Sequence, residues 1–269
     1  MRDFKRKYMV YPSETKRFAL LIDADNAQAK AIEAVLNEAA RYGETTSRRC
    51  YGDWTNSQLR SWKEVLNRHA IQPIQQFGYT TGKNATDSAL IIDAMDLLYT
   101  GKFNGFFLVS SDSDFTKLAT RIRESGLEVI GIGQRRTPEA FRAACNKFIF
   151  TETIMEEDVN DLTSSSVSNN GTEQKSNSNE AKKSTEYSLN DKNLKVLIKE
   201  AIDSASEDDG WANLGGVGSY IQRVDTSFDA RNYGYTKLGK LITSLDFVKA
   251  EQRNAENGSS NTYIKFQGK

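Results

Sequence analysis

Four aspartates hold the most reactive pattern in this chain. Asp23 ends the apolar run 18–23, and Asp112 and Asp114 follow the run 106–111 in the segment Ser-Asp-Ser-Asp-Phe. Asp87 opens a helix-like stretch through Leu90, Ile91, Ala94 and Met95. Carboxylates brought together repel one another unless a cation neutralises them, and a hard, all-oxygen donor set suits Mg²⁺ or Mn²⁺. If a fold gathers the four, they imply a metal site and metal-assisted phosphodiester chemistry. Each acid also has a plainer use: Asp87 as a first-turn helix acid, Asp112 as the cap of the helix begun by Phe115.

The elements that must position them alternate along the first half. Strands are expected at 18–23, 45–51, 71–77, 105–110, 128–132 and 148–150. Between them, 29–42 carries Ile32, Val35, Leu36 and Ala39 at helical period, and 58–68 does so with Leu59, Trp62, Val65 and Leu66. Thr137 stands as a cap before Pro138, opening a helix at 139–145. Such alternation makes a parallel sheet covered by helices on both faces, the α/β class. With right-handed crossovers and strand order 3-2-1-4-5, strands one and four are neighbours, so Asp23 and Asp112 end side by side at the carboxyl edge.

Composition narrows the chemistry. The 269 residues include two cysteines, Cys50 and Cys145, too few for a disulfide framework or a zinc set, and both fall in core-like patterns. The single histidine, His69, closes a helical pattern before Pro73, where a cation is favourable without any catalytic role. Gly-Ile-Gly at 131–133 lacks the spacing of a dinucleotide fingerprint. Apolar runs fall short of a bilayer span, and the first residues lead into no apolar signal core, so a cytoplasmic protein is expected. Net charge is zero, but residues 1–150 carry 22 Lys and Arg against 17 Asp and Glu. An acidic pocket on a mildly basic body fits a polyanionic substrate bridged by metal.

From 163 to 185 only Val167 and Ala181 are apolar, while seven Ser and four Asn dominate. Such a segment cannot bury enough surface to offset its ordering entropy, so it reads as a flexible tether spanning on the order of 25–30 Å. Beyond it, Leu194, Leu197, Ile198 and Ile202 form one helical stripe. Trp211, Leu214, Val217 and Ile221 suggest a second, and Tyr235, Leu238, Leu241, Ile242 and Leu245 a third. Phe247-Val248 and the run 263–266 then flank a polar turn, as in a β-hairpin wing. Three helices and a wing make a small winged helix-turn-helix domain. The expected division is an extension at 1–17, a catalytic domain at 18–160, a linker at 161–188 and a winged helix at 189–268.

The first domain resembles the NYN family of PIN-like nucleases, in particular its LabA-like group. The resemblance rests on Leu-Leu-Ile-Asp-Ala-Asp-Asn (20–26), Tyr-Gly-Asp-Trp (51–54), Lys-Asn-Ala-Thr-Asp (83–87), Ser-Ser-Asp-Ser-Asp-Phe (110–115) and Thr-Pro-Glu-Ala-Phe (137–141). The last part is similar to an OST-HTH, or LOTUS, domain through Trp-Ala-Asn-Leu-Gly (211–215) and Tyr-Gly-Tyr-Thr-Lys-Leu (233–238). These resemblances imply a PIN-like, Rossmann-like sheet and metal-dependent RNA cleavage, with endonuclease action favoured. They imply that Mg²⁺ or Mn²⁺ is held by Asp23, Asp87, Asp112 and Asp114, and that the tail associates with RNA or docks a protein. Asn26 orients a ligand, contacts substrate or stabilises a turn, and Asp25 adds charge nearby or serves a helix start. Trp54 stacks a base or packs on a helix, and Lys83 tracks phosphate, as Arg48, Arg49, Arg135 and Arg136 could. Asp93 falls about 120° around the helix from Asp87, which suits a solvated or supporting acid better than a ligand.

Two other readings stand beside the ribonuclease: a catalytically silent RNA-binding adaptor, and an aspartyl-phosphate phosphatase built on Asp23-Ala-Asp25. The last fits poorly, because Ala27 stands where such enzymes have Thr or Val. Limited proteolysis should cut first within 163–185 and leave two folded fragments; first cuts inside either domain would place the boundaries elsewhere.

Overall fold

The computed structural model describes residues 15–77, 85–156, 188–189, 191–254 and 260–267. Lys83 and the Ser/Asn-rich stretch 163–185 lie outside the described residues.

Six parallel strands form one sheet: β1 (Arg17–Asp23), β2 (Glu44–Gly52), β3 (Gln72–Gln75), β4 (Gly105–Val109), β5 (Glu128–Gly133) and β6 (Lys147–Phe150). Their order is β3-β2-β1-β4-β5-β6, so β1 and β4 are neighbours, as the alternation requires, with Ile22 opposite Val109. Both central strands are buried on two faces, which explains why they read as unbroken apolar runs. Phe18, Leu20 and Ile22 join Phe107 and Val109 in one core beneath α1 (Ile32–Ala40) and α2 (Trp62–Arg68). The alternate residues Ala19, Leu21, Phe106 and Leu108 pack on the other face beneath α3 (Ala85–Tyr99), α4 (Thr116–Glu124) and α5 (Glu139–Ala144).

Local starts differ in detail from the sequence expectation. The helices expected from 29 and 58 open as 3₁₀ turns, Ala29–Ala31 and Ser57–Ser61, before becoming α-helical. Thr137 does not cap α5. Its hydroxyl donates backward to the Gln134 carbonyl at 2.6 Å, and Pro138 takes the capping position without a side-chain bond. The strand expected at 71–77 shortens to four residues, and Pro73 is tolerated because β3 is an edge strand. Cys50 and Cys145 are free and buried, as expected of packing residues.

The second core belongs to α6 (Lys192–Ala205), α7 (Leu214–Val224), α8 (Leu238–Thr243) and a three-stranded antiparallel sheet, β7 (Ala212–Asn213), β8 (Val248–Asn254) and β9 (Ser260–Phe266). Leu194, Ile198, Ile202, Val217, Ile221, Ile242 and Ile264 fill it. Three helices with a hairpin wing is the winged-helix plan that the sequence pattern implies. Trp211 and Tyr235 fall just outside the helices to which their spacing assigned them.

The two cores also meet. The Phe148 amide donates to the Thr226 carbonyl at 2.8 Å, and the Thr226 hydroxyl donates to the Arg142 carbonyl at 2.8 Å. Arg231, from a 3₁₀ turn of the winged helix, makes a two-pronged bond to Glu38 of α1 at 2.9 and 3.1 Å, while Asp229 holds the same guanidinium at 2.7 Å. Glu38 is 3% exposed and Arg231 9%. Without Arg231, the largely buried Asp229 loses its guanidinium partner and Glu38 keeps, among the described residues, only the exposed Arg41 at 2.9 Å, and breaking a buried pair costs about 3–5 kcal/mol. Arg231→Ala should therefore loosen the docking by about 3 kcal/mol and deprotect the Phe148 amide in hydrogen exchange, with core amides of β1 and β4 unchanged. Unaltered Phe148 exchange would show that the charge network does not hold the two units together.

Candidate metal centre

The site forms where β1 and β4 end side by side. Asp23 is the last residue of β1 and is wholly buried. Its Oδ2 accepts from the Ser110 hydroxyl at 2.7 Å and from the Asn26 amide at 2.8 Å, and its Oδ1 accepts from the Asp25 backbone N–H at 3.1 Å. Ser110 in turn accepts from the Asp112 N–H at 3.0 Å, tying the two strand ends together. Burial pushes the Asp23 carboxyl up, against the Ser110 and Asn26 bonds, which favour its charged form.

Asp112 caps the 3₁₀ turn that leads into α4, its side chain accepting from the Asp114 N–H at 2.9 Å. Asp87 sits in the first turn of α3. Asp87 and Asp112 thus hold the helix-start positions of their plainer readings, and with Asp114 each also offers an oxygen to a common point. Carboxylate oxygens of Asp87, Asp112 and Asp114 all lie within 4.8 Å of one another. Asp23 stands outside that three-way group, yet its charge reaches Asp87. Burial and the acids Asp23, Asp112, Asp114 and Asp25 together push the Asp87 carboxyl up to about 6. The charged neighbours that act most on Asp87 among the described residues are acids, so an all-oxygen set is crowded with like charge. That is the donor chemistry that fits Mg²⁺ or Mn²⁺.

The other expected residues take distinct positions. Asn26 spends its amide on Asp23. Trp54 donates its indole N–H to the Ile74 carbonyl at 3.0 Å and packs on the core, leaving its ring at the rim of a cleft of about 830 Å³ also lined by Leu59, Arg60, Lys63 and Ile71. That cleft does not include the aspartates. Arg49 is committed to Asp93, and the Tyr51 hydroxyl donates to the other oxygen of the same carboxylate. Asp93 is therefore a fully used structural acid that fastens α3 to β2, rather than a solvated one. Arg48 bonds Thr45 and the His69 carbonyl, and Arg136 bonds Gln134.

Ser110 and Tyr51 are the residues that sequence reasoning passed over. Ser110 begins the Ser-Ser-Asp segment at a strand end, and a serine there with an aspartate two residues on was the available signal. Tyr51 closes the expected strand 45–51 and opens the Tyr-Gly-Asp-Trp segment, but nothing local assigned its hydroxyl to Asp93. Gly133, on β5, leaves room at this edge: a Cβ there would sit 2.4 Å from the Ser110 carbonyl oxygen.

The family models agree with the geometry. The NYN domain model matches residues 17–156, and the chain belongs to the NYN family, whose PIN-like α/β sheet it carries. The OST-HTH/LOTUS domain model matches residues 185–260. Together the two matches support a nuclease or RNA-binding protein. Among solved structures, the chain is similar to a protein of unknown function from Vibrio parahaemolyticus at 18% identity, over 52% of this chain and 95% of that one, with a TM-score of 0.45. It is also similar to an uncharacterised protein from Nitrosomonas europaea at 30% identity, over 36% and 94% of the two chains, with a TM-score of 0.28. A further likeness is to a protein from Chromobacterium violaceum, at 32% identity over 28% and 82%, with a TM-score of 0.25. No curated protein matches the chain. No helix among the described residues is long and apolar enough to cross a membrane.

The raised Asp87 carboxyl gives a stability test. Its folded value of about 6 lies above the ordinary 3.8, so its protonation stabilises the fold at low pH, and that contribution is lost as pH rises through about 6. In chelator, melting temperature should fall between pH 4.5 and 7, and Asp87→Asn should flatten that fall and match or exceed the parent at pH 7. A variant that melts lower than the parent at pH 7 in chelator would show that the Asp87 charge is compensated in the fold.

Proposed function

We propose that this chain is a metal-dependent ribonuclease that hydrolyses internal phosphodiester bonds of RNA. Its catalytic unit is 18–160, joined through 161–188 to a winged-helix unit at 189–268 that binds RNA or docks a protein. The observation that carries the reading is the set Asp87, Asp112 and Asp114, whose carboxylate oxygens lie within 4.8 Å of one another, with Asp23 close enough to raise Asp87. These four acids would hold Mg²⁺ or Mn²⁺, which, when bound, supplies positive charge to a phosphate and makes a water more acidic.

The chain's own residues do the positioning. Ser110 and Asn26 hold Asp23 in one orientation, and the cap bond to the Asp114 N–H fixes the Asp112 carboxylate. Arg49 and Tyr51 grip Asp93 and so set the approach of α3, the helix that brings Asp87. The exposed edge of Trp54 would meet a base, and Lys83 would meet phosphate. A phosphatase using Asp23 as nucleophile is disfavoured, because Ala27 stands where such enzymes have Thr or Val.

Asp112→Asn is the decisive variant, since asparagine keeps the capping bond and hence the local fold. Cleavage of single-stranded RNA in Mg²⁺ or Mn²⁺ should fall by more than about 100-fold, the upper end for merely supporting partners of a metal site. RNA binding by the same variant should persist. A parent protein that binds RNA but releases no product with either ion would instead make this an RNA-binding adaptor.

A further inference from the structure

The docking of the two units builds a feature that neither has alone. Between them runs a groove of about 690 Å³, walled by Arg123 and Lys147 of the catalytic unit and by Gln222 and Arg223 of α7. Gly215 and Gly218 line it from α7, where their missing side chains leave the channel open. Glycine inside a helix costs about 1 kcal/mol against alanine, so two on this face of an eleven-residue helix run against helix stability. Gly218 also lets Leu238 approach, since a Cβ there would sit 3.1 Å from its Cδ2, whereas at Gly215 a Cβ would meet only the capping Asn213.

Charge in the groove is of one effective sign. Its acid, Glu128, is paired with Lys16 at 3.1 Å, and Lys16 lines the adjoining hollow that continues past Arg123. Arg223 is exposed and has no ion-pair partner among the described residues. Lys147 lies over the Tyr42 ring at 5.4 Å, and Arg123 braces the carbonyls at the end of α5. Among the described residues no aromatic ring lines the groove, so none of them would stack a base there. Cations and amides without rings suit a phosphate backbone irrespective of sequence.

The groove's position sets what it can do. Lys147 begins β6 and Glu128 begins β5, so the groove opens at the amino edge of the sheet, opposite the aspartates. The five residues of β4 alone separate the two edges by about 17 Å. A short oligonucleotide at the acids cannot reach the groove; a long strand passing around the domain can touch both.

We propose that this interdomain groove is a second RNA site, which holds the phosphate backbone of long single-stranded RNA through Arg123, Lys147 and Arg223 while the strand is presented to the aspartates. It deepens the ribonuclease reading and rests on it for the identity of the ligand. The test therefore measures binding apart from cleavage, in Asp112→Asn full-length protein, by fluorescence anisotropy of short and long single-stranded RNA across a salt series. Arg223→Glu should weaken long RNA at least tenfold and leave short RNA unchanged. Arg223→Ala should lower the slope of log affinity against log salt by about 0.7, the loss of one phosphate contact on a single strand. Arg231→Ala lies outside the groove but loosens the docking that forms it, and should weaken long RNA in the same way. Long-RNA affinity and salt slope unchanged in both Arg223 variants would overturn the groove as an RNA site, and so would equal weakening of short and long RNA. Cleavage of short RNA by the parent protein, measured separately, reports on the catalytic reading alone.

Discussion

Like-charge crowding at the carboxyl edge of the sheet is the constraint around which the first domain is arranged. Carboxylates gathered within a few ångströms cost free energy in proportion to how poorly water screens them, and here burial and neighbouring acids raise Asp87 together. The fold tolerates this by placing Asp87, Asp112 and Asp114 at helix starts, where unpaired N–H groups and the helix dipole favour negative charge. Asp23 has a different support, two side-chain donors and a backbone N–H in a dry setting. The plain and the chemical readings of these acids are therefore compatible. Capping makes the crowd bearable, and crowded carboxylate oxygens are the donor set that a hard cation favours.

The remainder of that domain supplies rigidity for the cluster. Adjacent β1 and β4 bring Asp23 and Asp112 together through register alone, and the Ser110 hydroxyl links the two strand ends. Helix α3 is exposed along part of its length, with Ile92 and Tyr99 in solvent, so apolar packing by itself leaves its placement loosely defined. The shared grip of Arg49 and Tyr51 on Asp93 supplies a directional contact that packing lacks, and it acts less than two turns from Asp87.

The winged helix is held by different physics. Its contact with the first domain is mostly polar, and the Arg231 guanidinium is enclosed between Glu38 and Asp229. Buried ion pairs add little net stability compared with apolar packing, but they define orientation, since a shifted dock would leave charges unpaired.

The apolar runs, the helical periods and the positions of the four aspartates determined the layered architecture, because burial on two faces and a 3.6-residue repeat leave their mark within a few neighbouring residues. They determined the winged-helix plan for the same reason, and Asn26 was legible because it lies only three residues beyond Asp23. Pairings across the fold had no such mark. Arg49 read as a cation that could track phosphate and Asp93 as a solvated or supporting acid until strand β2 and helix α3 were set side by side. Trp54 read equally as a stacking or a packing ring, and the Ile74 carbonyl fixed its indole against the core. Glu38 was one more helix acid until Arg231, 193 positions away, was folded onto it. A charged side chain carries no local trace of a distant partner, so only the tertiary structure could decide which of these groups are held and which remain open to a ligand.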